Sequence, residues 1–442
     1  MKHIKQNTVI LGGGLTGLSA GLILKENATI LEKNARPGGL VQTVNRNGYW
    51  FDHVIHLLHF RDDVTEAIIK DLLKDDLFPI APLAYVETTE GVGKYPLQMN
   101  LRGLNKEAIT KTLTDLAKVS FNIKHDSAEN FEDMLRKSFG EYFCKLFMFP
   151  YNNKVWKRPL NSLAPSGFQW NIDQPNFEQV LNGALSDNSD FESYNANAWY
   201  PSPKDDSKVK GMEFLSYRLS KEVSDLRLNH TVKSIHLENK TVVAQHGNEE
   251  IEISYSNKCL STIPLPHLID ICQDIDPKFK SAKSALKYNR VLSIMISIEG
   301  PRPENTGHWR YYGQSDICFT RLVFMHTFDP KLAPENGWGL LVEVIEPSEW
   351  PIRQSDEIIN EVLEDIGKVN AIPDDCQVID KHLMVVDPAY VVFTNESKAL
   401  VEELKTYFDK NDVKLLGRYG QWEYSSMAQV MRDGFEWAKN LI

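Results

Sequence analysis

The segment FDHVIHLLHF contains three histidines at intervals of three residues, a spacing that raises the question of metal binding. On a helix, His53 and His56 share a face from which His59 departs, and on a strand His56 points away from the other two. A metal site needs ligands that converge, and no nearby cysteine or pair of carboxylates completes a set. The pattern therefore favours buried or hydrogen-bonded histidines, and no metal is predicted.

A second group of residues is suited to binding a dinucleotide. In TVILGGGLTGLSAGLILKE a β-branched strand candidate precedes Gly12, Gly14 and Gly17 in GxGxxG spacing, and a helix-compatible run follows. The first glycine permits a tight turn, the second lets the backbone approach a pyrophosphate, and the third allows close packing of helix on strand. The start of the helix adds unpaired N–H groups for the pyrophosphate.

An acidic residue after the next strand candidate completes the motif and helps to choose the cofactor. ATILEKN contains Glu32, fifteen residues after Gly17, where a carboxylate can accept both ribose hydroxyls of an adenosine. Beyond it, NARPGGLVQT places Arg36 before Gly38-Gly39. This order resembles the sequence by which flavoproteins of the glutathione reductase and amine oxidase types bring their backbone against FAD, so FAD is the predicted cofactor.

The elements that must position these motifs indicate a mixed α/β protein. NFEDMLRKSFG is apolar at helical spacing, with Asn130 as the expected N-cap and Gly140 as the stop. EYFCKLFMFPYNNKVW is predicted to be helical until Pro150 breaks it, which leaves residues 151–153 in a turn. Strand-like alternation returns from about residue 229, and longer strands beyond Lys287 predict an antiparallel sheet.

The chain is predicted to end in a helix that begins near the flavin. Apolar residues at helical spacing in SSMAQVMRDGFEWAKNLI form one face, and Ser425 or Ser426 is the expected N-cap. One interpretation is a terminal helix that closes the core. The other is that its N-terminus points at the flavin ring, where the helix dipole stabilises the negative charge of a reduced flavin.

Composition narrows the class of protein and its partners. A net charge of -11 argues against a nucleic-acid partner held by a general basic field. The sequence contains no window of eighteen apolar residues, which argues against a membrane span. MKHIKQN runs into a strand candidate without the apolar segment of a secretion signal. Five scattered cysteines suggest neither disulfides nor zinc, so a cytoplasmic location is expected.

The ordered motifs together resemble the UDP-galactopyranose mutase family, particularly its longer members. The motifs are LGGGLTG, ARPGGL, the histidine segment, YPLQMN, FMFPYNNKVW, YYGQSDICFTR and GRYGQWEY, and they run through nearly the whole chain. FMFPYNNKVW is the most specific of them, followed by GRYGQWEY together with Arg321. The glycine motif is shared by too many flavoproteins to decide the family.

The resemblance implies an isomerase in which reduced FAD acts as a nucleophile. In that family flavin N5 attacks the anomeric carbon of a nucleotide sugar and expels the nucleoside diphosphate, and the sugar opens, recloses as a furanose and recaptures the diphosphate. There is no net redox change, and the product is expected to feed polysaccharide biosynthesis, as part of a surface polysaccharide, or a glycosylated metabolite. The implied partner is a nucleoside-diphosphate sugar, with NAD(P)H as the expected reductant and a homo-oligomer as a possible assembly.

The resemblance also implies the site residues. The implied catalytic residues are His56, placed beside the flavin, and the diphosphate arginines Arg321 and Arg418. The implied substrate contacts are Gln98, Asn152, Asn195, Tyr311, Tyr390 and Tyr424. The implied cofactor contacts are Gly12, Gly14, Leu15, Thr16, Gly17, Glu32, Lys33, Arg36, Gly38, Gly39, Leu40, His56, Val232, Gly417, Ser425, Ser426 and Met427. Without the resemblance, Arg321 is interpreted as a sheet-face ion pair, the tyrosines as ordinary strand residues and Asn195 as a turn former.

With the resemblance, the predicted fold is α/β: a Rossmann-like FAD-binding domain of the glutathione reductase type, a helical insert and an antiparallel-sheet substrate domain. The predicted boundaries are residues 1–85, 205–265 and 405–442 for the FAD domain, 100–190 for the insert, and 86–99 and 266–404 for the substrate domain. The sheet is expected to cover the flavin.

Several positions depart from the family pattern and bear on function. Leu97 replaces an aromatic residue that faces the uracil, Asn171 replaces a second diphosphate arginine, and Ser426 stands where bacterial members have aspartate. The glycine-rich turn after YNANAWYP keeps only Gly211, which predicts a different or looser flavin contact. In the histidine segment, Val54 and Ile55 replace glycines.

Three functions remain open at this level. The first is the flavin-dependent nucleotide-sugar mutase. The second is an FAD oxidoreductase of the amine oxidase or desaturase type, which shares the N-terminal motifs but does not need Arg321 and Arg418 facing the flavin. The third is a partner protein in which the changed positions have removed catalysis.

Overall fold

The computed structural model describes residues 2–120, 127–165, 176–186, 197–204 and 207–442. Two positions singled out in the sequence, Asn171 and Asn195, lie outside the described residues. The predictions made for them therefore stay predictions.

The strands fall into three main sheets and two short pairs. In chain order they are β1 (Lys2–Gln6), β2 (Thr8–Leu11), β3 (Ala28–Leu31), β4 (Thr43–Arg46), β5 (Tyr49–Asp52), β6 (Leu77–Ile80), β7 (Ala84–Thr88), β8 (Gly91–Lys94), β9 (Ala198–Pro201), β10 (Leu226–Arg227), β11 (Thr231–His236), β12 (Thr241–His246), β13 (Glu249–Tyr255), β14 (Cys259–Ser261), β15 (Tyr288–Glu299), β16 (Trp309–Tyr312), β17 (Arg321–Phe324), β18 (Gly337–Pro347), β19 (Gln377–Val391) and β20 (Val413–Leu415).

The α-helices pack on and between these sheets. In chain order they are α1 (Leu15–Leu24), α2 (Asp63–Leu73), α3 (Lys106–Ser120), α4 (Phe131–Phe139), α5 (Glu141–Phe143), α6 (Phe149–Trp156), α7 (Phe177–Leu185), α8 (Glu213–Lys221), α9 (Leu265–Ile271), α10 (Pro277–Ala282), α11 (Ser355–Lys368), α12 (Asn395–Lys410), α13 (Gly417–Gly420) and α14 (Met427–Lys439).

A parallel sheet in the order β10-β3-β2-β14-β20 holds the glycine motif. Its strands β2, β3 and β14 are short and buried along their whole length, and β2 and β3 are rich in β-branched residues. Burial on both faces is what helices on either side of a parallel sheet produce. The turn from β2 into α1 therefore lies at the carboxyl edge of the sheet, where ligands of such folds bind.

A larger sheet, β19-β15-β18-β17-β16-β7-β8, is antiparallel except between β16 and β7. Strand β18 is buried at all of its positions, and β15 at all but its two ends. In a third sheet, β1-β13-β12-β11, the pair β1 and β13 is parallel and the other pairs are antiparallel. The predicted α/β class, with a parallel sheet at the glycine motif and an antiparallel sheet beyond Lys287, is confirmed.

The helical segment around FMFPYNNKVW differs from its prediction. Asn130 caps α4 through the N–H of Asp133, and Gly140 ends it, as expected. The prediction that Pro150 breaks the next helix is wrong, because α5 continues through a π-helical segment, Cys144–Met148, into α6. Pro150 occupies the first turn of α6, where the missing N–H is tolerated. Tyr151 is therefore helical and does not lie in a turn.

Two findings concern what the described residues do not form. None of the described helices is both long and apolar enough to span a bilayer. Within the same residues, no three histidine, cysteine, aspartate or glutamate side chains gather as metal ligands, and the histidine segment leaves β5 as a loop.

The predicted domain boundaries stay a prediction, since sheets and insert pack against one another through shared clusters of buried side chains.

Candidate active site

The turn between β2 and α1 has the geometry of a pyrophosphate-binding turn. A Cβ atom at Gly17 would overlap the carbonyl oxygen of Gly12, so α1 approaches the turn as closely as glycine allows. A Cβ at Gly14 would meet no atom within 4 Å, and no side chain caps the start of α1. The first N–H groups of the helix thus face open space, which suits an anion.

Glu32 is fixed beside this turn by two backbone N–H groups. Its Oε2 accepts from Gly13 at 2.8 Å and its Oε1 from Asn34 at 2.9 Å, and the residue is only 5% exposed. An ionised carboxylate has about four lone-pair directions, so both oxygens retain capacity for hydroxyl donors. The glycine turn, the helix start and this acid together fit the adenosine diphosphate part of a dinucleotide.

A cavity of about 460 Å³ begins at the first residues of α1 and extends under the antiparallel sheet. Of the predicted site residues, the cavity is lined by Leu15, Thr16, Gly38, Leu40, His56, Gln98, Asn152, Tyr311, Arg321, Tyr390, Gly417, Arg418, Tyr424, Ser425, Ser426 and Met427. These residues come from widely separated parts of the sequence. The fold therefore brings most of the predicted cofactor and substrate residues into one space.

Arg321, at the start of β17, forms a buried ion pair with Glu343 on β18. Its Nε lies 2.9 Å from Glu343 Oε2, the Nη2 contacts the same oxygen, and the side chain is 12% exposed. Burial opposes the charge of the guanidinium, but the Glu343 carboxylate and the neighbouring tyrosines together outweigh that effect and hold the pKa of Arg321 above its ordinary value. The guanidinium lies 5.7 Å from the ring of Tyr311. Arg321 is thus both a sheet ion pair and a wall of the cavity.

Arg418, in α13, reaches the same cavity with part of its donor set unused. Its Nη2 donates to the carbonyl of Ala389 at 3.3 Å, whereas its buried Nε has no hydrogen-bond partner among the described residues. The guanidinium lies 4.7 Å from the ring of Tyr424 and 5.9 Å from that of Tyr390, within cation–π distance. An orphaned, buried N–H of an arginine is the kind of donor that an anionic ligand satisfies.

Aromatic side chains build the rest of the wall around the two arginines. Tyr151 packs edge-on against Tyr311 at 5.5 Å, and Trp156 packs edge-on against both Tyr390 and Tyr424. Burial raises the pKa of Tyr151 and Tyr424 well above the ordinary tyrosine value. These phenols stay protonated, and Tyr424 donates its O–H to the carbonyl of Val391 at 3.0 Å.

The loop that follows β5 places His56 in the cavity. Burial, followed by the charges of His53 and Arg418, lowers the pKa of His56 to about 3. The imidazole is therefore neutral over the whole physiological range. Three hydrogen bonds hold the loop: Ser293 donates to the carbonyl of His53 at 2.7 Å, the N–H of Ile55 donates to Glu343 at 3.2 Å, and the N–H of His53 donates to the carbonyl of Gln42 at 3.0 Å.

Gly211, the glycine that the sequence retains after β9, packs against a buried acid. A Cβ at Gly211, whose φ is +68°, would lie 2.6 Å from Asp52 Oδ1 and 2.7 Å from Thr43 Oγ1. Asp52 accepts from Thr43 and Tyr200, each at 2.7 Å, and from the N–H of Met212 at 3.0 Å. This network fixes the start of α8, and the predicted change in flavin contact at this turn stays a prediction.

Some predicted residues lie outside the lining of the cavity. Arg36 forms an ion pair with the buried Glu213 at 2.7 Å, behind the Gly38-Gly39 turn. Val232 is buried in a hydrophobic cluster on β11, and Lys33 is exposed after β3. Their predicted contacts with the cofactor stay predictions.

The structure also identifies lining residues that the sequence reasoning missed, chiefly Tyr151, Trp156 and Tyr419. Tyr151 and Trp156 could have been found from the sequence. On a continuous helix Tyr151 lies on the same face as Val155, and Trp156 lies on the same face as Asn152, because each pair is four residues apart. The prediction that Pro150 ends the helix led this helical pattern to be overlooked. Glu343, which was also missed, had a signal too, since the single acid within the apolar run WGLLVEVI needs a buried partner.

Comparisons with known proteins agree with this geometry. The family model of flavin containing amine oxidoreductase matches residues 15–394, which indicates a flavin cofactor. The structure of reduced UDP-galactopyranose mutase is similar at 20% identity, with a TM-score of 0.89 over 99% of this chain and 95% of that chain. A protein provisionally assigned as a protoporphyrinogen oxidase from Exiguobacterium sp. 255-15 is similar at 15% identity, with a TM-score of 0.74 over 99% and 98%.

Putrescine oxidase bound to putrescine is similar at 13% identity, with a TM-score of 0.64 over 99% of both chains. At these identities the likenesses establish the fold. The resemblance read from the sequence motifs is thereby confirmed at the level of the fold.

Proposed function

This chain belongs to the flavin containing amine oxidoreductase family, and on that premise we propose that it is an FAD-dependent nucleotide-sugar mutase. The proposed reaction interconverts the pyranose and furanose forms of a nucleoside-diphosphate hexose. Reduced FAD, when bound, supplies the nucleophile for the anomeric carbon, so that the ring form changes without net oxidation. NAD(P)H is the proposed reductant.

One observation carries the proposal: the charge of the cavity. Arg321 and Arg418 both line it, and no aspartate or glutamate is found among the described residues of the lining. The carboxylate of Glu343 neutralises one arginine from behind, while Arg418 has an unused, buried N–H. A space with this charge fits an anion such as a diphosphate better than it fits the cation of an amine substrate.

In the proposed reaction, the residues of the chain stabilise the departing diphosphate. Negative charge develops on the diphosphate as its bond to the sugar breaks, and a guanidinium meets it with paired donors. The protonated phenol of Tyr390 lies beside Arg418 and is proposed as a further donor, and Tyr311 lies beside Arg321. We assign Gln98 and Asn152, which line the cavity, to the nucleoside.

The residues proposed to hold the cofactor lie at two helix starts. We assign the glycine turn and Glu32 to the adenosine diphosphate, and the open space at Gly14 supports this assignment. At the far end Ser425, Ser426 and Met427 line the cavity at the start of α14, where Ser426 caps the helix through the N–H of Gln429 at 3.2 Å. The positive end of the helix dipole there favours an anionic, reduced flavin ring.

The test is catalytic and uses the redox state as its control. Dithionite-reduced protein is incubated with UDP-galactopyranose, and then with TDP, GDP and CDP hexopyranoses, and the furanose is resolved by chromatography. We expect reduced protein to equilibrate at least one pair and oxidised protein to equilibrate none. Reduced, FAD-loaded protein that equilibrates none of them would overturn the proposal.

The same samples distinguish the two other functions. Oxygen uptake on addition of putrescine or another amine, with no need for prior reduction, would identify an oxidoreductase of the amine oxidase type. A colourless protein that takes up no FAD on reconstitution would identify a non-catalytic partner protein.

A further inference from the structure

Helix α6 separates the candidate active site from a second cavity. Tyr151 and Trp156 line the first cavity, whereas Asn153 and Lys154 line the second, which has a volume of about 640 Å³. A helix backed by a packed core is held in place by many small contacts. Hydrogen bonds from two buried side chains, Lys154 and Asn289, add to this packing and join α6 to neighbouring strands.

The first of these bonds comes from Lys154, a buried lysine that the proposed reaction does not use. Its Nζ donates to the carbonyl of Tyr312 at 2.8 Å and to that of Gln314 at 3.0 Å, and the residue is 8% exposed. Among the described residues no carboxylate forms an ion pair with it. Burial lowers the pKa of Lys154 to about 7. The lysine thus joins α6 to the end of β16, directly after Tyr311.

The second bond comes from Asn289, at the start of β15. Its Nδ2 donates to the carbonyls of Val155 at 2.7 Å and Trp156 at 3.1 Å, the last carbonyls of α6, and the residue is fully buried. In the sheet Asn289 pairs with Tyr390 on β19. The asparagine thus joins the end of α6 to the strand position opposite Tyr390.

We propose that Lys154 and Asn289 are positioning residues that hold α6 against the two strands bearing Tyr311 and Tyr390, and so set the geometry of the anion-binding wall. Each acts on one tyrosine: Lys154 on Tyr311, Asn289 on Tyr390. The inference rests on the proposed function for the identity of the ligand. Neither residue contacts the ligand itself.

The experiment is a crossed set of double-mutant cycles with UDP as the probe. Lys154→Met and Asn289→Leu remove the donors at similar size, and each is combined with Tyr311→Phe and with Tyr390→Phe. We expect each single change of a positioning residue to weaken UDP binding by about tenfold, because the displaced tyrosine loses about one hydrogen bond to the ligand. Binding is measured by calorimetry on the FAD-loaded, reduced protein.

The pattern of coupling tests the assignment, because a general loss of stability would leave the effects additive. Lys154→Met is expected to couple with Tyr311→Phe and to be additive with Tyr390→Phe, and Asn289→Leu is expected to do the reverse. Additivity in all four cycles, or equal coupling in all four, would overturn the proposal. Lys154→Leu, which also removes the donors, replaces Lys154→Met if the latter does not accumulate.

Matched controls remove similar bonds elsewhere. Lys331 donates to the carbonyl of Pro203 at 3.1 Å, and Asn411 donates to that of Tyr407 at 2.8 Å, both outside the cavity. Lys331→Met and Asn411→Leu are expected to leave UDP binding unchanged. A loss of binding in these variants equal to that in Lys154→Met would also overturn the proposal.

Hydrogen exchange separates failure of this inference from failure of the proposed function. If the wild-type protein binds none of UDP, TDP, GDP and CDP, the proposed function fails, but the attachment of α6 is still measurable. Lys154→Met is expected to speed amide exchange in peptides covering residues 149–157 and 309–314, and Asn289→Leu in those covering 149–157 and 388–391. Unchanged exchange in those peptides would overturn the inference whatever binds.

Discussion

The carboxylate of Glu343 joins Arg321 to the backbone of the histidine loop. One oxygen contacts the Nε of Arg321 at 2.9 Å, and the other accepts the N–H of Ile55 at 3.2 Å. The carboxylate is 1% exposed, so both bonds form away from water. A single buried acid thus fixes the arginine proposed to meet the diphosphate and the loop that places His56 in the cavity.

Glu343→Gln is expected to disturb both partners at once. The amide keeps the shape of the acid but has one acceptor oxygen, so either Arg321 or Ile55 loses its bond. Removing one charge of a buried ion pair costs about 3–5 kcal/mol of unfolding free energy, which denaturant titration measures. UDP binding is expected to fall by about tenfold or more, because Arg321 is no longer held.

The control for this variant is an ion pair that is more exposed. Arg46 and Asp380 lie 2.8 Å apart, with 35% and 24% of their side chains exposed. Asp380→Asn is expected to cost less than about 1 kcal/mol, as surface pairs do, and to leave UDP binding unchanged. Equal costs for the two variants would contradict the role given to Glu343.

Arg418→Lys tests whether the unused N–H of Arg418 meets an anion. Lysine keeps the charge but loses the fork of donors and the planar contact with Tyr424. We expect UDP binding to weaken by about tenfold to a hundredfold with FAD content unchanged, measured by calorimetry and by flavin absorbance. Arg302→Lys is the control, since Arg302 donates to carbonyls of Gly337 and Pro330 outside the cavity. Unaltered binding in Arg418→Lys would mean that another donor set binds the diphosphate.

Gly14→Ala tests the assignment of the open space at the start of α1. The added methyl group meets no protein atom within 4 Å, and φ at this position is -75°, which alanine adopts freely. The FAD-free variant is therefore expected to unfold within about 1 kcal/mol of the wild type, while its FAD content falls severalfold because the methyl group occupies space given to the pyrophosphate.

Gly367→Ala provides the comparison, because a Cβ at Gly367, in α11, likewise meets no atom within 4 Å. It is expected to keep full FAD content. Normal FAD content in Gly14→Ala would show that the pyrophosphate does not approach this turn.

The sequence was sufficient for the features that depend on local chemistry. The turn at Gly12, the acid Glu32 and the cap at Ser426 each follow from residue type and spacing, and the structure has all three. The two arginines and the tyrosines were found only through the ordered motifs, since an arginine in a strand is more often an ordinary ion pair. Arg321 proves to be an ion pair and a lining residue at once.

Two kinds of feature were not predictable from the sequence: an irregular helix, and contacts between residues far apart in the chain. Pro150 does not end the helix because the π-helical segment before it removes the need for its N–H. Lys154 looks like a solvated helix residue until β16 places two carbonyls beside it. Asn289 likewise has no sequence signal, because its partners lie more than 130 residues away in the chain.

Buried histidines predict a loss of stability in mild acid. Burial lowers the pKa of His53 and of His326 to about 4, whereas the pKa of a histidine in the unfolded chain is about 6.5. Between these values the unfolded chain binds the protons first, so the free energy of unfolding falls as pH is lowered from about 6.5 towards 4. Each histidine contributes up to about 1.4 kcal/mol per pH unit. Urea midpoints measured from pH 4.5 to 7.5 give the slope.

Asp52 is expected to change the free energy of unfolding with pH in the direction opposite to the histidines, and the same experiment tests this. Burial raises its pKa to about 6, above the unfolded value of about 3.9. Between these values the folded state binds the proton, so Asp52 opposes the histidines and its stabilising contribution is lost as pH rises through 6. Asp52→Asn is therefore expected to steepen the slope below pH 6, and His326→Phe to flatten it. A slope unaffected by either change would contradict the assignment of these protons.

The loop of residues 53–57 is expected to stay in place when the flavin changes redox state. Ser293 and Glu343 hold it at the carbonyl of His53 and the N–H of Ile55, and the β-branched Val54 and Ile55 restrict its backbone. Crystal structures of the oxidised and reduced protein are expected to superpose in this loop to within about 1 Å. Ser293→Ala should speed its amide exchange, whereas Ser297→Ala on the same strand should not, since the buried Ser297 hydroxyl has no partner among the described residues. A large flip of the loop between the two redox states would refute the prediction.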